Sequence, residues 1–130
     1  MRNIPVVSAF LAAFLVAAVA LAANDKVVIS FVSQQSSGVK GDVTLESLPQ
    51  GQTMIHARLA GLDPNVDYVS RYFTDGTCSS GSGTEIAAYK ANPMGKAVFS
   101  ARVGKSIGDL KSISVQLKSD LSLKACASNP

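Results

Sequence analysis

The sequence predicts an all-β fold, an antiparallel β-sandwich of about seven to eight strands, preceded by a helical signal peptide. Three observations predict it. Apolar side chains recur at every second residue along most of the chain, and turn-forming residues separate these runs. Helical periodicity is missing after the first 22 residues, so nothing beyond the signal peptide predicts a long helix.

The N-terminal segment has the three parts of a secretory signal peptide. Arg2 supplies the positive start, and the stretch from residue 6 to residue 19 is apolar apart from one serine. Ala20-Leu21-Ala22 then gives the small-x-small pattern that a signal peptidase accepts, and Asn24-Asp25-Lys26 begins a polar stretch. We therefore expect an exported protein, either periplasmic or extracellular.

Cleavage is expected after Ala22, with Ala23 as the alternative end of the signal peptide. This divides the chain into a signal peptide, residues 1–22, and a single domain, residues 23–130. An uncleaved membrane anchor is the competing interpretation, because a spanning helix needs about 20 apolar residues. No further membrane span is predicted after the signal peptide.

Seven runs in the expected domain have the composition of strands. Six of them keep their apolar residues on one face: Val27, Ile29 and Phe31; Val39, Val43 and Leu45; Ile55, Ala57 and Leu59; Ala97, Phe99, Ala101 and Val103; Ile113, Val115 and Leu117; Leu121, Leu123 and Ala125. The remaining run, 66–73, is aromatic and β-branched on both faces. Turns separate the runs, as at Pro49-Gln50-Gly51, and Ser79–Thr84 is predicted to be a flexible loop.

The chain has two cysteines, Cys78 and Cys126, separated by 48 positions. In an oxidising compartment such a pair is most simply one disulfide bond. A reactive thiol is the alternative, but neither cysteine has a second Cys or a His close to it in sequence. The pair therefore predicts a structural crosslink in the domain.

The charge of the expected domain is only mildly positive. Removal of Arg2 leaves 11 of the 12 basic side chains against 9 acidic ones, a net charge of +2. This is too small to indicate a nucleic-acid partner, although it favours solubility.

Several segments together resemble the copper/zinc superoxide dismutase sandwich and its shorter relatives, the CHRD-type extracellular domains. They are Gly41-Asp42-Val43-Thr44-Leu45, the stretch Leu59–Asn65, the Cys78 loop and the closing Leu123-Lys124-Ala125-Cys126. The resemblance runs from about Gly38 to Ala127. It implies a Greek-key arrangement of the sandwich and a bridge from Cys78 to Cys126.

The resemblance does not extend to the metal ligands. Ser70 and Tyr72 occupy the positions where the metal-binding enzymes carry a His-x-His pair, and the only histidine, His56, lies upstream of that strand. Copper and zinc sites of this type need several imidazoles around each ion. We therefore expect no metal, no cofactor and no catalytic residue. We expect His56 to lie on the surface or on an edge strand without a functional role. The alternative is a weak metal contact or a pH-sensitive contact.

Two groups of residues are candidates for a binding surface. The first is a cluster of aromatic and basic residues, Tyr68, Arg71, Tyr72 and Phe73, because Tyr and Arg are favoured at interaction surfaces. Ordinary packing of the sandwich explains the same cluster. The second group is the set of basic residues between positions 96 and 124, a stretch with only two acids, Asp109 and Asp120. Its members are Lys96, Arg102, Lys105, Lys111, Lys118 and Lys124. Solubility and protection of sheet edges explain these lysines as well as contact with an anionic surface does.

The function that the sequence favours is an exported non-catalytic domain, a binding or structural module of the periplasm or cell exterior. Its partner is left open, either a protein or an anionic component of the cell envelope. One alternative is a metal-handling or superoxide dismutase-type enzyme that recruits His56 with acids or ligands from a partner chain. Another is a module that binds an anionic surface of lipid or polysaccharide.

Overall fold

A computed structural model describes residues 25–130 of the chain, so the predicted signal peptide lies outside the described residues. The described residues form nine β-strands: β1 (Lys26–Ser30), β2 (Val32–Ser33), β3 (Lys40–Leu48), β4 (Gln52–Ala60), β5 (Asp67–Phe73), β6 (Thr84–Lys90), β7 (Ala97–Val103), β8 (Ser112–Leu117) and β9 (Leu123–Ser128). Two single-turn 3-10 helices, Pro49–Gly51 and Ile107–Asp109, lie between strands. None of the described helices is long and apolar enough to cross a membrane.

The strands form two antiparallel sheets, which confirms the predicted all-β sandwich. The four-stranded sheet has the order β1-β3-β4-β7, and the five-stranded sheet has the order β2-β9-β8-β5-β6. After β4 the chain builds the β5–β6 hairpin in the other sheet and then returns, so that β7 pairs with β4. The next strand, β8, crosses again and pairs with β5. These returning connections are of the Greek-key kind.

The core lies between the sheets because successive side chains of a strand point to opposite faces. Val43, Leu45 and Ile55 fill it from the four-stranded sheet, and Ile113 and Val115 from the five-stranded sheet, all fully buried or nearly so. Each buried side chain of this size favours folding by about 1.5–3 kcal/mol relative to exposure. The alternation in the sequence therefore predicts the buried faces of β3, β4 and β8 correctly. It is wrong for the last run, because Leu121 is exposed and Leu123 packs beside the disulfide while Ala125 is in the core.

An aromatic stack extends the core across both sheets. The ring centroids of Tyr68 and Tyr89 are 6.3 Å apart, and those of Tyr89 and Phe99 are 5.1 Å apart. The Tyr89 hydroxyl shares a hydrogen bond of 2.7 Å with Ser70 Oγ, and its burial raises the pKa of Tyr89. Ser70 is thus a core residue whose hydroxyl pairs with that of the partly buried Tyr89.

The strand count differs from the prediction at two places. The first predicted strand divides at Phe31, whose N–H donates to the Gly41 carbonyl at 2.9 Å while the next residue, Val32, pairs with Cys126 of the other sheet. The second difference is β6, which the sequence did not indicate. Its pairing with β5 shifts register opposite Ser70 and Arg71, so the run Thr84–Lys90 lacks a regular period of two.

A segment after β5, residues 74–83, lies over the outer side of the five-stranded sheet. The structure contains the disulfide between Cys78 and Cys126, with a Cα–Cα distance of 6.1 Å. Phe73 and Leu123 pack against the two buried cysteines. The predicted crosslink therefore attaches this segment to β9.

Candidate anion-binding face

The outward side of the four-stranded sheet carries the polar half of each alternating strand. Three rows of outward residues cross it, set by the strand registers. The rows are Lys26, Glu46, Met54 and Arg102; Val28, Thr44, His56 and Ser100; Ser30, Asp42, Arg58 and Val98. We name this surface the cationic face, and include Lys40 at the start of β3 and Lys96 directly before β7.

The positive excess of the described residues 25–130 is confined to the cationic face. Five cations lie on it, against the two acids Asp42 and Glu46; the cations are Lys26, Lys40, Arg58, Lys96 and Arg102. The remaining surface of residues 25–130 has six basic and seven acidic side chains. One side of the sandwich is therefore positive although the chain as a whole is only mildly basic.

Three of these cations surround a shallow depression of about 420 Å³ at one end of the face. Lys40, Arg58 and Lys96 line it, together with Asp42 and a floor of backbone and small side chains. Lys40 and Lys96 are brought to either side of β4, which carries Arg58, because β4 pairs with both β3 and β7. Neither of these proximities can be read from the sequence without the strand register.

Gly41, which lines the depression, lets β3 and β4 approach each other closely there. Gly41 has a φ of +143°, and a Cβ atom there would lie 2.0 Å from the carbonyl oxygen of Arg58. Only glycine combines this conformation with this approach. The glycine therefore lets β3 and β4 stay close at the point where the cations meet.

None of the three cations of the depression has a carboxylate oxygen within 4.0 Å, although Asp42, the cross-strand partner of Arg58, lines the same depression. Within residues 25–130 one ion pair is shorter than 4.0 Å, between Lys90 and Asp67 at 3.9 Å, and both belong to the five-stranded sheet. Lys40, Arg58 and Lys96 are all exposed. The depression therefore has three solvent-exposed cations against one carboxylate, and its positive excess is open to an external anion.

His56 lies at the centre of the same face and is exposed. Its Nδ1 atom forms a short hydrogen bond with Ser100 Oγ on the neighbouring strand. Neither residue lines the depression, and the pair lies on an open strand surface.

Ser70 and Tyr72, which the sequence resemblance sets at the metal-ligand positions, do not meet His56. Ser70 and Tyr72 are on the core side of β5, whereas His56 points outward from the opposite sheet. Ser70 is fully buried and bonded to Tyr89. Over residues 25–130, no three side chains of His, Cys, Asp or Glu are grouped so that they could hold a metal ion. The residues at these positions do not fit copper or zinc.

No family model matches the chain. A search of curated proteins likewise found no match. The candidate site therefore rests on the geometry of this chain.

The aromatic cluster predicted as a binding surface does not form one exposed patch. Tyr68 is only 2% exposed, and its hydroxyl accepts a hydrogen bond from the Asp63 N–H at 2.9 Å. Tyr72 packs against the core, and Phe73 is buried beside the disulfide. Arg71 is half-buried and donates from Nη1 to the Ser82 carbonyl at 2.8 Å. Three of the four side chains are therefore packed in the interior or against it, and Arg71 alone is bound at the surface to the loop after β5.

The basic C-terminal residues are also divided by the fold. Lys96 and Arg102 belong to the cationic face, whereas Lys105 and Lys111 line a separate depression with Tyr72. Lys118 follows β8 and Lys124 lies on β9 of the five-stranded sheet. The sequence missed Lys40 and Arg58 as their companions, because pairing of distant strands is what places these two beside Lys96.

Proposed function

We propose that the processed chain is an exported non-catalytic binding domain, which holds an anionic component of the periplasm or cell exterior on its cationic face. The observation that carries the proposal is the depression lined by Lys40, Arg58 and Lys96. Three exposed cations outnumber the one carboxylate there, Asp42, and none of them has a carboxylate oxygen within 4.0 Å. The field of such a cluster attracts anions and raises their local concentration.

The shape of the site favours binding over catalysis. The cations lie on a shallow, open depression of the sheet, and the hydrogen-bonded pair His56 and Ser100 is on flat exposed strands outside it. A nucleophile and base need a third group that orients the base and a pocket that holds the substrate. An open cationic surface needs neither and binds extended anions.

The same proposal includes a lineage for the scaffold. We infer that the domain is a relative of the dismutase and CHRD-type sandwiches in which the metal positions have other uses. Ser70 pairs with the partly buried Tyr89 and Tyr72 packs against the core. The two-sheet architecture and the Cys78–Cys126 bridge support this lineage. Similar folds host unrelated functions, so the lineage itself implies no enzyme.

The test compares two triple variants of equal charge. The full chain is expressed through an export pathway, and the processed protein is passed over immobilised dextran sulfate. Lys40→Gln/Arg58→Gln/Lys96→Gln removes three cations from the depression. The matched control, Lys105→Gln/Lys111→Gln/Lys118→Gln, removes three exposed cations elsewhere.

We expect the wild type and the control to be retained at low salt and released as salt is raised, because exposed charges are screened beyond about 10 Å at 0.1 M salt. The depression variant is expected to elute at clearly lower salt than the control. Equal elution of the two variants, or no retention of the wild type, contradicts the proposal.

A further inference from the structure

Two large aliphatic side chains are exposed at the end of the cationic face where the depression lies. Val98 is 62% exposed and is the cross-strand partner of Arg58. Met94 is 76% exposed and lies in the turn that ends at Lys96. Val98 is thus opposite one cation of the depression, and Met94 is two positions before another along the chain.

The turn that carries Met94 is held firmly. Asn92 Oδ1 accepts hydrogen bonds of 2.9 Å from the N–H groups of Met94 and Lys96. Gly95 donates to the Asn92 carbonyl and accepts from the Leu62 N–H, both at 2.9 Å. A turn whose backbone is already fixed loses little conformational freedom on binding. The backbone at Met94 is therefore preorganised.

Exposed aliphatic side chains accompany the cations of the cationic face. Residues 25–130 expose five large apolar side chains; Val28 and Val98 lie on the cationic face, and Met94 lies in the turn two positions before Lys96. Aliphatic groups beside exposed cations are the two features of a surface that binds anionic bilayers. An acidic polysaccharide would satisfy the cations and leave the aliphatic side chains in water.

We infer that the anionic component is the surface of an anionic phospholipid bilayer. Lys40, Arg58 and Lys96 contact lipid phosphates, while Met94 and Val98 enter the boundary between head groups and acyl chains. The inference rests on the proposed function, because it assigns a ligand class to the same face. It adds that contact is apolar as well as electrostatic.

The experiment uses tryptophan as a reporter, since the chain contains none. Val98→Trp places the reporter beside the depression. Val32→Trp is the matched control, because Val32 is also a strand residue exposed to 62%, on β2 of the five-stranded sheet. The exported, processed variants are mixed with vesicles of phosphatidylglycerol and phosphatidylcholine, and with vesicles of phosphatidylcholine alone.

We expect the emission of Val98→Trp to shift to the blue with the anionic vesicles and not with phosphatidylcholine alone. Val32→Trp is expected to keep its emission in both. Met94→Ser/Val98→Ser is expected to sediment less with anionic vesicles while its retention on dextran sulfate is unchanged. Removal of Lys40, Arg58 or Lys96 weakens vesicle binding by about fivefold per cation.

Three outcomes separate the inference from the proposed function. Retention on dextran sulfate without vesicle binding overturns the bilayer and leaves anion binding intact. Vesicle binding with equal emission shifts at residues 98 and 32 overturns the assigned contact. Failure to bind both probes overturns the proposed function together with the inference.

Discussion

The backbone N–H of Cys78 donates a hydrogen bond of 3.0 Å to the side-chain hydroxyl of Ser112. The same hydroxyl donates to the Asp75 carbonyl at 2.6 Å. Ser112 is fully buried on β8, so one side chain satisfies two backbone groups of the segment that lies over the five-stranded sheet. The segment is thus attached to β8 by Ser112 and to β9 by the disulfide.

Replacement of Ser112 by alanine is expected to lower the free energy of unfolding by about 1–3 kcal/mol, because it leaves buried backbone groups without partners. Urea unfolding of the oxidised protein measures the change. Ser119→Ala is the control, since Ser119 is exposed, and its effect should stay within about 0.5 kcal/mol. Similar midpoints for the two variants would show that water replaces the lost bonds.

The disulfide is expected to contribute about 4 kcal/mol to stability, in the chain-entropy treatment of a loop closed across 48 positions. Cys78→Ala/Cys126→Ala should therefore unfold at much lower urea than the oxidised wild type. Reductant should lower the midpoint of the wild type and leave that of the double variant unchanged. A variant as stable as the oxidised protein would mean that the crosslink constrains little of the unfolded chain.

The alternation of apolar residues predicted the sandwich and the buried faces of β3, β4 and β8 because it reports directly which side of a strand avoids water. It could not predict β6, where a register shift opposite Ser70 and Arg71 breaks the period. The aromatic run in β5 was ambiguous for a related reason. Both of its faces are covered, one by the core and the other by residues 74–83, so Phe73 and Tyr68 are both buried.

The candidate site was harder to predict than the fold. Lys40 and Arg58 are 18 positions apart, and Lys96 is a further 38 positions along the chain. Their meeting depends on the register of β3, β4 and β7. The basic C-terminal stretch, which is continuous in sequence, is instead divided between the sheets. Proximity in sequence is a poor guide to a surface made from paired distant strands.

Asp75 is expected to make the stability of the protein fall at acid pH, through the segment of residues 74–83 that lies over the five-stranded sheet. Its carboxylate accepts hydrogen bonds that lower the pKa of Asp75, and the Thr77 hydroxyl has the largest effect. The other donors are the hydroxyl and backbone N–H of Ser79 and the backbone N–H of Ser80. A lowered folded-state pKa gives stabilisation that is complete above the unfolded value of about 3.9 and is lost as pH falls below it.

The midpoint difference between wild type and Asp75→Asn should therefore be largest at neutral pH and should shrink below about pH 4. Thermal unfolding monitored by circular dichroism across this pH range measures it. Asp67→Asn is the comparison variant. It also removes one carboxylate charge, but Asp67 has only an exposed ion pair with Lys90. A difference that stays constant down to low pH would remove the carboxylate charge from the explanation.

The protein is expected to hold no stoichiometric copper or zinc after incubation with either metal and desalting. Metal sites of this type bring several ligands within about 2.0–2.1 Å of each ion, and His56 is separated by the whole core from Ser70 and Tyr72. Elemental analysis measures the content, and His56→Ala should match the wild type. One metal per chain together with superoxide turnover would restore the enzyme interpretation.

Gly41→Ala is expected to destabilise the domain by at least about 3 kcal/mol, the upper end of the usual range for single substitutions. A Cβ at Gly41 would lie 2.0 Å from the Arg58 carbonyl oxygen, and the φ of +143° is unfavourable for alanine. Gly104→Ala is the control, because a Cβ there meets nothing within 4 Å. Urea unfolding compares the two variants, and dextran sulfate retention reports on the depression.

If β3 and β4 separate to admit the methyl group, Lys40 and Arg58 move apart, so the variant should also elute at lower salt than the control. Equal stability of the two variants would show that the strands relax without cost, and the close approach would then not be what shapes the site.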